Sequence, residues 1–373
     1  LKEVLQGGTL QQAVQHAHLS QALLTALSSP DGIEYLKVGY VLDVFSRYGV
    51  IFLLFLVGVE SSISELRHTG MASFRVALVG VLAPLILGFA VSYYAMPGLS
   101  ITADLFIAAT LCATSIGVTA RVLKEMDCIR TREAKTILGA AMIDDILGLF
   151  ILAVVSGMVV HGYLDIMQMF QVLLGSTFFF VAVLAIGPWI LRHTLMGLQF
   201  FEPWESKLIV SFVFLMTAAW LATVVNLAAI IGAFAAGLVI HDGYFAAGAS
   251  RSIRDLVSPL ESLMAPLFFV LIGIQVKLET FLDVQVLSIA FGLTVAAIIG
   301  KLLSGLAASR KDNRLFIGIG MLPRGEVGLV FASIGKSLGV MTDQVFAAVI
   351  LMIIITTVIT PPTMRFFQSA LAR

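Results

Sequence analysis

Charge is scarce in this chain. Asp, Glu, Lys and Arg make up 12% of 373 residues, against about 25% in an ordinary soluble domain. So small a polar complement cannot cover a water-facing surface, which excludes a soluble globular protein. The charges present sum to a formal net of zero, so there is no electrostatic case for a nucleic-acid partner. The two cysteines, Cys112 and Cys128, are too few for a disulfide framework and lack metal-ligand spacing. No cleavable signal peptide is legible. The chain starts at Leu1 rather than Met, so an N-terminal portion is expected to precede it.

Apolar residues, in contrast, make up 59% of the chain, and the mean hydropathy is +1.01. A bilayer core takes about 20 apolar residues per helix. On that measure eleven spans are predicted: 43–59, 75–95, 103–124, 134–160, 172–192, 207–225, 228–241, 258–276, 284–309, 314–338 and 342–367. The seventh is short and Gly-rich. Residues 1–42 carry no span and are read as an amphipathic or irregular external segment, with a break at Ser28-Ser29-Pro30-Asp31-Gly32.

Loop charge orients the spans, because cytoplasmic connections collect Lys and Arg. Connections of one parity hold Arg67, Arg75, Arg121, Lys124, Arg130, Arg132, Lys135, Arg192, Lys207, Arg251, Arg254, Arg310, Lys311, Arg314, Arg365 and Arg373. Those of the other parity hold Lys277 and Lys336. The C-terminus is therefore expected in the cytoplasm and residues 1–42 outside.

A weak internal repeat relates Leu54-Phe55-Leu56-Val57-Gly58-Val59-Glu60 to Phe269-Val270-Leu271-Ile272-Gly273-Ile274-Gln275. Seven spans separate the copies, so they cross in opposite directions. Inverted repeats of this kind are typical of secondary transporters, with the binding site between the copies near the midplane. Each copy is followed, two spans on, by an interrupted span. The first interruption is Ala113-Thr114-Ser115-Ile116-Gly117-Val118-Thr119; the second is Met321-Leu322-Pro323-Arg324-Gly325-Glu326-Val327-Gly328. Pro and Gly merely kink many membrane helices. Irregular backbone at membrane depth survives only where it faces protein or a watery cavity, however, and a matched pair points to a site.

The fourth span carries Asp144 and Asp145 at its centre, and the ninth carries Lys301. A charge at a helix centre costs about 2.5–3.5 kcal/mol on insertion scales, and intramembrane ionisable groups are functional by default. Neighbouring residues on a helix diverge by about 100°, so the two carboxylates have separate roles. A buried Asp–Lys301 pair could be purely structural, which would leave the second carboxylate unexplained. A hard monovalent cation seeks oxygen ligands, and Asp145, Asp144, Thr114 and Ser115 supply them. Protonating the carboxylates would expel the ion, and such competition suffices for exchange. Arg324 and Glu326 are read as neutralising half-helix ends at the interruptions.

These motifs resemble the monovalent cation:proton antiporter-2 family, specifically the electrogenic sodium/proton antiporters with paired aspartates. The resemblance runs from about residue 50 to 362. It rests on residues 113–121, Gly139-Ala140-Ala141-Met142-Ile143-Asp144-Asp145, Gly300-Lys301 and Pro323-Arg324-Gly325-Glu326-Val327-Gly328. It implies an all-α polytopic membrane protein with the inverted-repeat sodium/proton antiporter fold, two crossed broken helices in a core domain and a separate dimerisation scaffold. The core would be 75–160 and 284–367, the scaffold 43–59 and 207–276, and 172–192 a linker helix. Asp145 resembles the cation and proton carrier, holding Na+ with Asp144, and Asp144 the partner of Lys301. Pro323, Gly325 and Gly117 would support the breaks beside Arg324 and Glu326.

The resemblance further implies an elevator-like movement, two protons per cation, a homodimer among membrane lipids, and a bacterial inner membrane. The transported species are Na+ or Li+ in preference to K+, and H+, with no cofactor and no enzymatic activity. It also implies two spans before 43–59. A potassium/proton antiporter or potassium efflux system of the same family is the alternative, although its members often carry a nucleotide-binding domain after the last span and lack the second aspartate. A cation channel fits less well, because tight central carboxylates favour exchange. An intramembrane aspartyl protease needs facing aspartates on separate helices, and no organic pocket for a sodium-coupled symporter is legible.

Several polar residues receive plainer readings. Glu60 is expected to end its span at the interface, and residues 242–257 to lie along the membrane surface. Trp189, Trp204 and Trp220 are read as interfacial or packing residues, and His161, His193 and His241 as solvated span ends.

Overall fold

The computed structural model describes residues 32–61, 70–161, 166–197, 203–225, 227–245 and 251–371. Expectations for residues 1–31, Arg67 and Arg373, and part of the 242–257 connection, lie outside the described residues. The rest is all-helical: α1 Gly32–Glu60, α2 Met71–Ala95, α3 Ile101–Thr110, α4 Ile116–Glu125, α5 Arg132–His161, α6 Ile166–Gly197, α7 Pro203–Val224, α8 Ala229–Val239, α9 Ile253–Ile274, α10 Val284–Leu306, α11 Arg314–Gly320, α12 Glu326–Ser337 and α13 Asp343–Leu371. Two 3-10 turns, Asp242–Tyr244 and Leu278–Leu282, join them.

Among the described residues, eight helices are long and apolar enough to cross a membrane. They correspond to eight of the eleven predicted spans. The third and tenth spans are each split, into α3–α4 and α11–α12, and the seventh is the 11-residue α8. The order long, long, broken, long occurs twice, in α1–α5 and α9–α13.

Two boundaries correct the hydropathy reading. Helix α1 starts at Gly32 rather than 43 and has 29 residues, about 43 Å of helix. Its first turns carry Glu34, Lys37 and Asp43, which interrupt an apolar window without interrupting a helix. Asp43 pairs with Arg47 one turn on, at 2.9 Å. Helix α9 starts at Ile253 rather than 258, because Ser252 and Asp255 form a capping box across its first turn. Residues 253–257, expected along the membrane surface, are therefore the first turn of α9. Glu60 does more than end α1, because it forms an ion pair with Arg254 of α9.

The helices pack as two bundles. Helices α1 and α7–α9 form a flanking bundle, α2–α5 with α10–α13 form a second bundle that carries the motifs, and α6 packs on both, against α5 of one and α7 and α8 of the other. Close backbone approaches occur within each. A Cβ on Gly237 of α8 would fall 2.1 Å from the Phe55 carbonyl of α1, and one on Gly49 of α1 would fall 2.5 Å from Met264 backbone of α9. In the second bundle a Cβ on Gly300 of α10 would lie 2.7 Å from the Pro84 nitrogen of α2, and one on Gly305 would lie 2.0 Å from the Arg314 carbonyl. Apolar side chains meet at the boundary between the bundles, with Leu149, Leu152 and Phe331 in one cluster with Leu54, Ile231 and Phe234. Each bundle is interlocked within itself, and the cluster that joins them is one of apolar side chains.

Candidate functional site

Both helix breaks arise from local sequence. Pro323 lacks an N–H and disfavours the helical conformation of the residue before it, so α11 stops at Gly320 and α12 restarts at Glu326. Helix α3 stops at Thr110, and Ser115 then caps α4, its hydroxyl accepting from the Val118 N–H at 3.5 Å. Each break leaves backbone groups without partners in their own helix, which at membrane depth must be met by other protein groups or by a watery cavity.

The two breaks satisfy one another. The Ser115 N–H donates to the Pro323 carbonyl at 2.8 Å, and the Thr119 hydroxyl donates to the Gly320 carbonyl at 2.8 Å. In return the carbonyls of the first break take buried cations. Arg324 Nη1 donates to the Ala113 carbonyl at 2.5 Å, and Lys301 Nζ donates to the Cys112 carbonyl at 2.8 Å. The Thr357 hydroxyl of α13 donates to the Arg324 carbonyl. Gly325 allows Ser115 to approach the second break, since a Cβ there would lie 2.5 Å from Ser115 Oγ. Gly117 is different: it is exposed, with open space where its Cβ would stand.

Helix α5 brings the aspartates to this junction. Lys301 Nζ lies 2.9 Å from Asp144 Oδ1 and 2.8 Å from Oδ2, and the Thr114 hydroxyl donates to Oδ2 at 2.6 Å. Asp144 and Lys301 are both fully buried. Lys301 reaches its place because Gly300 seats α10 against Pro84, and a Cβ on Gly80 would stand 3.5 Å from the ammonium. Asp145, one residue on, is also buried, but its Oδ1 has no hydrogen-bond partner among the described residues. A buried carboxylate oxygen without a donor is costly, and a hard cation or a proton relieves that cost. Ser115 and half-buried Glu326 stand side by side at the second break, the hydroxyl donating to Oε2 at 3.3 Å. Arg324 is fully buried, and its Nε and Nη2 have no hydrogen-bond partners among the described residues.

The chain matches the family described as sodium/hydrogen exchanger, transmembrane, over residues 13–368. It belongs to the sodium/hydrogen exchanger family. A relative from Synechocystis sp., the high-affinity Na+/H+ antiporter NhaS3, is 36% identical over 332 residues, covering 87% of this chain and 71% of that protein. The Na+/H+-K+ antiporter GerN of Bacillus cereus is 30% identical over 362 residues, covering 94% and 90%. The solved sodium proton antiporter MjNhaP1 from Methanocaldococcus jannaschii at pH 8 shares the fold, with a TM-score of 0.59 at 18% identity over 94% of this chain and 91% of that one. As a member of this exchanger family, the chain is a multi-pass membrane transporter rather than an enzyme.

Sequence reasoning passed over several contributors. Thr119 lies within the first motif, one turn after Ser115, where a buried hydroxyl signals a backbone partner. Thr357 had no local signal, since Thr is ordinary in a membrane helix. Asp104, in α3, is buried and accepts from Ser92 of α2. Its signal was the same as that of Asp144, an acid inside an apolar span. Outside the site, Lys207, counted as a loop charge, is buried against Asp242 Oδ1 at 2.5 Å and the Arg251 carbonyl at 2.7 Å. The His241 and Tyr244 rings meet with centroids 3.9 Å apart, tilted by 40°, and Trp189, Trp204 and Trp220 are exposed.

Proposed function

We propose that this exchanger carries Na+ or Li+ in one direction and protons in the other, with Asp145 as the carrier. The observation that carries the reading is the contrast at one junction. Asp144 is saturated by Lys301 and Thr114, while the adjacent buried Asp145 keeps an oxygen without a donor. Protonated, Asp145 is neutral and tolerates burial; deprotonated, it takes a cation with oxygen ligands drawn from Asp144, Thr114 and Ser115.

Cation binding draws Asp144 away from Lys301. The freed ammonium, left without its counter-ion in a buried site, releases a proton. Asp145 releases another, so one cation in exchange for two protons moves one net charge. Paired aspartates thus make the exchange electrogenic, as in the monovalent cation:proton antiporter-2 type. The two interlocked bundles, joined by a cluster of apolar side chains, support an elevator movement in which the α2–α5/α10–α13 bundle carries the site past the flanking one. On this reading the flanking bundle is the scaffold of a homodimer in a bacterial inner membrane, and the C-terminus is cytoplasmic.

Potassium is the second reading, favoured by the name of GerN. The test is reconstitution in liposomes with an internal pH dye and Na+, Li+ or K+ outside, for the parent and Asp145→Asn. Cation-driven proton movement in the parent and none in the variant is expected. A parent that moves no protons with any of the three ions refutes exchange, and a variant as active as the parent removes Asp145 from its role.

A further inference from the structure

Lys277 and Lys336, the two cations on the cation-poor parity of the connections, close on one carboxylate. Lys277 Nζ lies 3.0 Å from Asp343 Oδ2, and Lys336 Nζ lies 3.3 Å from Asp343 Oδ1. Lys336 Nζ also donates to the Gln275 carbonyl at 3.2 Å and stands over the Phe346 ring, 4.4 Å from its centroid. Asp343 opens α13, where the helix dipole favours a negative charge. Lys336 is in the last turn of α12. Both belong to the bundle that holds the aspartate site. Gln275 caps the C-terminus of α9 in the flanking bundle. Lys277 lies in the segment that carries the chain from α9 across to α10.

We propose that Asp343, Lys277, Lys336 and the Gln275 carbonyl form a clasp that pins the two bundles together at this face and biases the resting protein toward the state closed there. The inference rests on the moving-bundle reading of the exchange. The described side chains that cluster across the boundary elsewhere, such as Leu149 and Phe331 against Leu54 and Phe234, are apolar, and such contacts slide without breaking directed bonds. Here a relative movement separates an ammonium from a carboxylate and from a carbonyl. The strength suits a bias rather than a lock. Asp343 is half exposed, and solvent-exposed pairs contribute little each. Losing the clasp therefore shifts the equilibrium about three- to fivefold. Apparent affinity scales with the fraction of protein in the binding-competent state. Cation offered at this face would then show a KM lower by the same factor, with KM at the other face little changed.

The test reads bundle separation directly. Spin labels are placed at Ile274→Cys on α9 and Ser337→Cys on α12, both exposed, in full-length protein in liposomes on a Cys128→Ala background. Asp343→Asn and, independently, Lys277→Gln are expected to raise the longer-distance population about three- to fivefold, and Asp343→Glu to restore the parental distribution. Unchanged distances in both variants overturn the clasp, as does an Asp343→Glu protein that behaves like Asp343→Asn. The distances need no transport. Shifted distances in a protein that exchanges nothing would refute the antiport reading and uphold the clasp. Unshifted distances in an active exchanger would refute the clasp alone.

Discussion

Lys301 holds Asp144 through both carboxylate oxygens, at 2.8 and 2.9 Å, with neither side chain exposed. In so dry a place each charge is tolerable only because of the other. Removing one partner of a buried pair costs about 3–5 kcal/mol, whereas removing both is often nearly neutral. Lys301→Met is therefore expected to lower thermal stability markedly, and Lys301→Met with Asp144→Asn to recover most of the loss. Melting curves of the purified proteins in detergent test this, and equal destabilisation by the single and double variants would count against it.

Asp145 predicts the opposite sign. Asp145→Asn removes a buried carboxylate that lacks a full set of donors, so the protein without sodium is expected to melt at or above the parental temperature. Sodium should stabilise the parent by mass action, about 2.7 kcal/mol at one hundred times Kd. That shift should vanish in Asp145→Asn. A sodium-induced rise of equal size in both proteins would place the ion elsewhere.

Two glycines near the junction should separate cleanly. Gly325→Ala puts a methyl 2.5 Å from Ser115 Oγ and 2.6 Å from its Cβ. It is expected to cost about 1–3 kcal/mol through overpacking and to weaken cation affinity by displacing Ser115. Gly117→Ala meets open space in the first turn of α4. Ala exceeds Gly in helix propensity by up to about 1 kcal/mol, so this change should be neutral or mildly stabilising. Strong loss from Gly117→Ala would mean that Gly117 has a partner in another state of the cycle.

The proposed stoichiometry makes membrane potential a driving force. One net charge moved is worth about 2.3 kcal/mol per 100 mV, more than a tenfold change in the cation gradient at balance. Liposomes clamped with a potassium diffusion potential measure this directly when Na+ is the transported ion. A cation gradient at balance that ignores the potential would indicate one proton per cation.

Thr119→Val would strand the Gly320 carbonyl at the second break. An unmet buried acceptor costs about 1–3 kcal/mol, so stability should fall by that order. Thr119→Ser, which keeps the hydroxyl, should retain most of it, and equal losses in both would point to the methyl group's packing instead.

The membrane class, the helical fold and both helix breaks were legible in residue order alone. They depend on local quantities: apolar runs of bilayer length, charge between them, and Pro323 or Thr114-Ser115 inside them. The start of α1 is not legible in hydropathy, because Glu34, Lys37 and Asp43 lower it without opposing helix formation. The start of α9 is not legible in hydropathy, because the polar Ser252–Asp255 cap resembles a connection in composition.

The presence of two aspartates and a lysine in apolar spans was likewise a property of the sequence, because any charge inside a membrane span is conspicuous wherever the span lies. Which aspartate the lysine holds was a matter of three dimensions. It follows from Gly300 letting α10 settle on Pro84, which aims Lys301 at Asp144 and at the Cys112 carbonyl. The mutual repair of the two breaks, through Ser115, Thr119, Arg324 and Thr357, joins residues about 200 or more apart or on a third helix. Hydropathy and periodicity register only neighbours along the chain. Backbone groups freed in a water-poor interior take whichever donors and acceptors packing brings within about 3 Å, and only the tertiary structure decides which those are.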